Sequence, residues 1–336
     1  MNQAFTPSRP LTAVVAGGAG FVGFHLCEAL LAQGHRVICI DNFLTGTEEN
    51  AADLCRHPDL RLVRQDVTDP VSVREAVDRV YNLACAASPP QYQADPIHTM
   101  LTNVLGTANL LALAEATGAR FIQASTSEVY GDPEEHPQPE GYRGNVSCTG
   151  SRACYDEGKR AAETLAFDFL RAGRVDVRVA RIFNTYGPRM RADDGRIVSN
   201  FIVQALEGRP MTIYGTGRQT RSFCYVSDLV RGLVALAEVE PAPRGPVNLG
   251  NPAEYTVLEL AEVVRDIVGG TSPILHRPLP EDDPRRRRPD IGRAAALLGW
   301  RPRIGIDRGL HETVDWFASR RGRNVPVPPS RVAAFP

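Results

Sequence analysis

The chain has 336 residues and a formal net charge of -1, with 43% hydrophobic and 23% charged residues. That length buries a sizeable core in one large α/β unit or two lobes, and the near-neutral charge removes any overall pull toward nucleic acid or an anionic membrane surface. Seven cysteines, an odd number without a C-x-x-C pair, argue against a disulfide framework or a zinc site. The first ten residues are polar, and no unbroken run of about 18 apolar residues occurs. The expectation is a cytoplasmic protein with no metal, no nucleic-acid partner and no membrane span.

In chain order, residues 11–16 form a short apolar run that ends at glycines. Residues 21–33 read as an amphipathic helix stopped by Gly34, and 36–40 are a second β-branched run ending at Asp41. This is a β-α-β unit within about 30 residues. Further strands are expected over 60–63, 80–84, 121–125 and 175–182, with helices such as 99–117 and 151–170 between them. The alternation predicts a Rossmann-type α/β fold, a doubly wound and mostly parallel sheet covered by helices on both faces. After Pro188 the chain changes to short helices, Gly-x-Gly turns and proline-rich loops. The expected organisation is a dinucleotide-binding domain over 1–185, rejoined near 223–250. A smaller α/β substrate-binding lobe follows over 186–320, above the carboxyl edge of the sheet, and then a poorly ordered tail over 321–336.

Gly17, Gly20 and Gly23 lie between the first strand and the first helix, in the spacing G-x-x-G-x-x-G. Glycines there permit a tight turn and let a pyrophosphate approach backbone N–H groups at a helix N-terminus. Asp41 ends the second strand, 18 residues after Gly23. A carboxylate at that place accepts from adenosine ribose hydroxyls and repels a 2′-phosphate. The following residues, Asn42-Phe43-Leu44, include no arginine, so the cofactor is expected to be NAD and not NADP. Asp66-Val67, after the third strand, is placed to address the adenine; the plainer reading of Asp66 is a turn cap.

The chemistry sits in two further segments, Thr126-Ser127-Glu128 and Tyr155-Asp156-Glu157-Gly158-Lys159. On a helix Tyr155 and Lys159 share a face one turn apart. An ammonium beside a phenol favours the phenolate, so Lys159 is expected to lower the Tyr155 pKa. Such a tyrosine takes a proton from a sugar hydroxyl while a nicotinamide takes the hydride.

These residues resemble the extended short-chain dehydrogenase/reductase superfamily and, within it, the UDP-glucuronic acid decarboxylases. The resemblance runs from about residue 11 to 318. It is carried by Ser88-Pro89-Pro90, by Thr126-Ser127-Glu128-Val129-Tyr130-Gly131-Asp132 and by Cys154-Tyr155-Asp156-Glu157-Gly158-Lys159-Arg160. Arg181-Ile182-Phe183-Asn184-Thr185-Tyr186-Gly187-Pro188-Arg189-Met190, Asp282-Asp283-Pro284 and Arg287-Arg288-Pro289-Asp290-Ile291 complete it. It implies a cofactor set of Gly17, Gly20, Phe21, Val22, Gly23, Asp41, Asn42, Asp66, Val67 and Leu83, joined by Tyr155 and Lys159. It further implies a substrate set of Ser88, Pro89, Asn184, Arg221 and Arg287, with Asn200 and Tyr225 as weaker members. A homodimer through the helices near 99–117 and 151–170 is part of the same expectation.

The implied reaction oxidises C4 of a UDP-linked glucuronate, with Thr126 and Tyr155 at the C4 oxygen. Carbon dioxide then leaves from the 4-keto acid, C5 is protonated and C4 is reduced, giving UDP-xylose. Ser127 bears on this choice. Related 4,6-dehydratases carry an aspartate there, an acid toward the departing C6 hydroxyl, which serine replaces poorly. Glu128 is then the candidate for proton handling near C5, or else a structural partner of an arginine. Arg287 is the expected partner of the C6 carboxylate, and Arg285, Arg286 and Arg288 are expected to be solvated. A 4-epimerase or dehydratase, and a non-catalytic NAD-binding regulatory protein, are the competing readings. Two departures stand out. Ala16 replaces a hydroxyl residue before the glycines, and Ser147-Cys148-Thr149-Gly150-Ser151-Arg152 replaces a proline-rich stretch. The second loosens the loop before Tyr155 and bears on whether some 4-keto pentose is released.

Overall fold

The computed structural model describes residues 9–278 and 286–320. The expected tail over 321–336, Asp282-Asp283-Pro284 and Arg285 lie outside them. Strands β1 (Thr12–Ala16), β2 (Arg36–Asp41), β3 (Leu60–Arg64), β4 (Arg79–Asn82), β5 (Arg120–Thr126) and β6 (Val177–Ile182) alternate with helices. The helices are α1 (Phe21–Ala32), α2 (Glu48–Leu54), α3 (Pro89–Ala94), α4 (Pro96–Leu101), α5 (Thr107–Thr117) and α6 (Ala153–Arg171). Downstream come β7 (Thr185–Tyr186), α7 (Ile197–Leu206), β8 (Met211–Tyr214), β9 (Thr220–Ser222), β10 (Cys224–Tyr225), α8 (Val226–Glu238) and β11 (Val247–Leu249). The chain closes with β12 (Glu254–Thr256), α9 (Val257–Val268), β13 (Ile274–Arg277), β14 (Arg286–Arg287), α10 (Gly292–Leu298) and α11 (Ile306–Ala318).

Seven strands form one parallel sheet in the order β11-β6-β5-β4-β1-β2-β3. β1 is buried along its whole length, as a strand covered on both faces must be. The strand order reverses between β1 and β4, and a parallel sheet opens its ligand crevice at such a point. One apolar layer, with Leu26, Leu30 and Tyr81, lies under α1 and α8; another, with Val80, Leu110 and Phe121, lies under α5 and α6. Each fully buried side chain of this size contributes roughly 1.5–3 kcal/mol of transfer free energy. A third core, with Tyr186, Phe201, Leu260 and Leu310, belongs to α7, α9 and α11. β11 returns to the edge of the main sheet beside β6.

The segment expected as one helix over 99–117 lies within one continuous helical run, Pro96–Thr117, in which α4 passes through a wide π turn at Thr102–Gly106 into α5. At that turn a Cβ on Gly106 would come within 2.6 Å of Val67 Cγ2, so the backbone packs close against the loop after β3. The whole run Pro96–Thr117 is also long and apolar enough, by length and composition, to reach across a bilayer. It is not an unbroken apolar run, because His98, Thr99, Asn103 and Glu115 interrupt it. Half of its most apolar window is buried inside the fold.

Candidate functional site

The crevice between β1 and β4 is lined by Gly17, Gly20, Phe21, Val22, Gly23, Asp41, Asn42, Val67 and Leu83, nine of the residues expected to hold a cofactor. The glycines are there for steric reasons. A Cβ on Gly23 would stand 2.0 Å from the Gly17 carbonyl oxygen, and Gly17 has φ +78°, where a side chain is strained. α1 opens onto the crevice with no acidic residue in its first turn, so its positive end is unopposed and suits an anion. Asp41 is buried and accepts from the backbone N–H of Ala19 at 2.9 Å and of Phe43 at 2.8 Å. Burial pushes its carboxyl up, and those hydrogen bonds pull the other way. Each oxygen keeps a lone pair for a ribose hydroxyl. A glycine floor, a helix N-terminus and a ribose-directed carboxylate fit NAD. One arginine does neighbour Asp41 across the sheet: Arg64 on β3 is its register partner, stacks on Phe43 at 4.0 Å and pairs with Glu48.

β5 ends at Thr126, and Ser127-Glu128-Val129-Tyr130 then forms a single 3₁₀ turn in which the Thr126 hydroxyl accepts from the Glu128 N–H at 3.2 Å. α6 runs alongside and brings Tyr155 against this turn, where the neighbouring Thr126 hydroxyl pulls the phenol pKa down. The Tyr155 ring stacks on Tyr92 of α3, 4.9 Å between centroids and 3° from parallel. The lowered phenol pKa expected from the one-turn Tyr155–Lys159 spacing is not found. Burial dominates and pushes the Tyr155 phenol well above its ordinary value, with only the neighbouring Thr126 hydroxyl opposing it among the main influences. Lys159 shares the face, but its Nζ donates to the Ala124 carbonyl at 3.0 Å and lies 5.8 Å from the Tyr155 ring centroid. Burial lowers the Lys159 pKa as well. The physical reason is common to both: each group is sealed under α6, where low polarity disfavours the charged form.

Beside Tyr155 lies a buried chain of charges. Glu128 accepts from Arg287 on one oxygen and from Arg152, at 2.6 Å, on the other. Arg152 also approaches Asp156 at 3.9 Å. Burial would raise the Glu128 pKa, but the two guanidinium groups outweigh it and hold the carboxyl below its ordinary value. Asp156 goes the other way: burial first, then the Glu128 charge, push it up to about 7. Asp156 Oδ1, Arg287 Nε, Ser88 Oγ and Tyr92 Oη are buried without a hydrogen-bond partner, and such atoms ask for an explanation. Arg287 on β14 is the register partner of Arg221 on β9, so two largely buried arginines stand side by side.

Some predicted residues sit elsewhere. Asp66 is not part of the crevice lining. Its carboxylate accepts from Asn42 at 2.7 Å, from Thr68 at 2.7 and 2.9 Å and pairs with His98 at 2.9 Å, which makes it the clasp of the rim. Tyr225 packs on Tyr186 in the third core and donates to Glu312 at 2.6 Å, because β10 ends under α11. Asn200 donates to the Gly195 carbonyl at 3.0 Å, closing the turn before α7. Ser88 lines the crevice, and Pro89 opens α3 behind it. Asn184 sits between β6 and β7. Arg288 is not simply solvated, since it meets Glu254 at 3.4 Å.

Sequence reasoning missed Arg152 and three arginines that overhang the crevice. Arg189 reaches Asp53 at 2.7 Å and Asn50 at 3.3 Å, Arg191 pairs with Asp193, and Arg196 pairs with Asp194. Their signal was the run Arg189 to Arg196 right after the Gly187-Pro188 turn, a cluster of guanidiniums at the carboxyl edge of the sheet.

Residues 13–250 match the model of the NAD dependent epimerase/dehydratase family. UDP-glucuronic acid decarboxylase 1 of Arabidopsis thaliana is 55% identical over 312 residues, 93% of this chain and 71% of that protein. Among solved structures, UDP-glucose 4-epimerase of Thermotoga maritima with UDP-glucose superposes with a TM-score of 0.86 at 28% identity, covering 93% of this chain and 100% of that one. UDP-glucuronic acid 4-epimerase of Bacillus cereus, in complex with UDP-glucuronic acid and NAD, gives 0.83 at 27% identity over 92% and 99%.

Proposed function

This chain belongs to the UDP-glucuronic acid decarboxylases of the NAD-dependent epimerase/dehydratase family, and from that premise we propose how its own residues carry the reaction. The enzyme converts UDP-glucuronate to UDP-xylose. NAD, when bound in the crevice, would accept and later return the C4 hydride and would supply a positive charge that favours the Tyr155 phenolate. Gly17, Gly20, Gly23 and Asp41 hold that cofactor.

Tyr155 takes the proton of the C4 hydroxyl, and Thr126 shares a hydrogen bond with the same oxygen. A ketone at C4 is β to the C6 carboxylate. The C5–C6 bond therefore breaks with its electron pair delocalised onto the C4 oxygen, and carbon dioxide leaves. The Tyr155 and Thr126 hydroxyls donate to that oxygen as its charge grows. Arg287 pairs with the carboxylate before it leaves. Glu128, held ionised by Arg152, positions the water or proton that reaches C5. Arg221 and Asn184 bind the diphosphate.

One observation carries this reading above a 4,6-dehydratase. The residue after Thr126 is the buried Ser127, not an acid, and the cation Arg287 lies over the neighbouring Glu128. A carboxylated sugar is attracted there by Arg287, and the position directly after Thr126 offers no acid to a departing C6 hydroxyl. Incubation of the NAD-loaded protein with UDP-glucuronate should release carbon dioxide and UDP-pentose. Turnover of UDP-glucose or UDP-galactose with none of UDP-glucuronate would overturn it.

Two further readings go with this one. Ile97, Leu101 and Leu105 are large, exposed and spaced by four along α4 and the π turn, and we assign that stripe to a homodimer contact with a second α4–α6 pair. Leu101→Lys should then shift the sedimentation coefficient to that of a monomer; an unchanged value removes the assignment. All seven cysteines are free thiols, which supports a reducing, cytoplasmic setting. Alkylation of the protein in intact cells should label thiols, and a disulfide found there would count against it.

A further inference from the structure

Arg287 needs an anchor. β14 has two residues, and it pairs with β9 by a two-residue register. The Ser222 hydroxyl donates to the Arg287 carbonyl at 3.1 Å. The next residue along is gripped differently. Gln138 is fully buried, and its side chain and backbone both engage Arg288: the Arg288 N–H donates to Gln138 Oε1 at 2.8 Å, and the Gln138 N–H donates to the Arg288 carbonyl at 2.9 Å. The Gln138 carbonyl accepts from the Asp290 N–H at 3.0 Å and from Asn248 Nδ2 at 3.0 Å. Its Nε2 donates to the Glu135 carbonyl at 2.7 Å. Every polar group of this residue is used, and most of them hold the segment that carries Arg287.

Gln138 also belongs to the loop that begins at the other side of the pair. That loop leaves the Glu128 turn at Gly131, whose carbonyl faces Arg287 Nη2 at 3.5 Å. Glu128 and Arg287 are 159 residues apart in sequence. Their meeting therefore depends on a tether between the loop after Glu128 and the strand of Arg287, and Gln138 is that tether.

We propose that Gln138 is a positioning residue for decarboxylation: it sets the guanidinium of Arg287 against Glu128 and, in turn, against the substrate carboxylate. The inference rests on the reading of Arg287 given above. Displacement of a reacting group by about 1 Å costs on the order of 100-fold in rate, so the tether acts on the step that needs Arg287. It leaves C4 oxidation, the work of Thr126 and Tyr155, untouched.

The test is rapid mixing of the NAD-loaded enzyme with UDP-glucuronate, following NADH absorbance and carbon dioxide together. Gln138→Met keeps the volume and removes both side-chain hydrogen bonds. It should form NADH at the wild-type rate and release carbon dioxide roughly 10- to 100-fold more slowly, so that NADH accumulates. In an Arg287→Ala background the same substitution should add less than about twofold, because both act on one contact. Equal slowing of the two signals, or a full additional loss in the Arg287→Ala background, would show a merely structural residue and overturn the proposal. A wild-type enzyme that releases no carbon dioxide from UDP-glucuronate overturns the functional reading and the inference with it. If Gln138→Met does not fold, Gln138→Asn, one methylene shorter, is read by the same criteria.

Discussion

The two ends of the site are built in opposite ways. The cofactor end comes from one continuous stretch: β1, the glycine turn, α1 and β2 span residues 12–41 and supply the floor, the helix N-terminus and the ribose carboxylate. The end we propose for the substrate carboxylate is assembled from Glu128 after β5, Arg152 and Asp156 at the start of α6, and Arg287 on β14. The first end works through backbone geometry and absent side chains, and little there can titrate. The second works through four ionisable groups in a buried place, each shifting its neighbours. Binding of a common cofactor tolerates, and needs, a rigid local motif. Discrimination between a carboxylated and a neutral sugar needs charges that only long-range contacts bring together.

The largest break in that comparison is at the seam. Tyr155→Phe removes the proposed proton acceptor and leaves the crevice intact, so carbon dioxide release should fall about 100- to 10,000-fold while a calorimetric NAD titration stays close to wild type. Gly23→Ala attacks the cofactor end alone. Its Cβ would stand 2.0 Å from the Gly17 carbonyl oxygen, so the thermal midpoint should drop by the equivalent of about 3 kcal/mol and NAD binding should weaken in the same titration.

The carboxylate end should instead show a pH signature. The fold raises the Asp156 carboxyl to about 7, above its unfolded value near 3.9. The folded protein therefore holds that proton more tightly, and stability falls as pH rises from about 4 to about 7. Asp156→Asn removes the penalty: relative to wild type, its thermal midpoint should be higher at pH 8 than at pH 5. A constant difference across that range would mean that Asp156 does not titrate there.

The smallest effect belongs to the rim. Burial opposes ionisation of Asp66, yet the hydrogen bonds from Thr68, Asn42 and His98 bring its carboxyl down to about 2. Its stabilisation is present above the ordinary carboxylate range and is lost as pH falls toward that value. With solvent screening, Asp66→Asn should cost about 1 kcal/mol at pH 7. Chemical denaturation should show the gap closing between pH 4 and 2.

Legibility followed the range of the interactions. The β-α-β start, the glycine spacing and Asp41 could be read because each depends on residues within about 30 positions of one another. Thr126, Tyr155 and Lys159 could be named because a strand end and a helix turn place them locally. Their protonation could not: the spacing of Tyr155 and Lys159 argued for a phenolate, and burial under α6 argued harder for the neutral phenol. Arg288 looked solvated within a basic run, yet its backbone is held by a glutamine 150 residues away. Tyr225 looked like a weaker substrate contact and is a residue of the core beneath α7, α9 and α11.

The amino-acid sequence by itself determined the fold class, the cofactor turn and the shared helix face of Tyr155 and Lys159, because periodicity, glycine geometry and one-turn helix spacing are local properties of a chain. Only the tertiary structure decided which charges meet. The grip of Arg152 and Arg287 on Glu128, the raised Asp156 and the tether through Gln138 depend on distances and burial, which exist only once β5, α6 and β14 have been brought to one edge of the sheet.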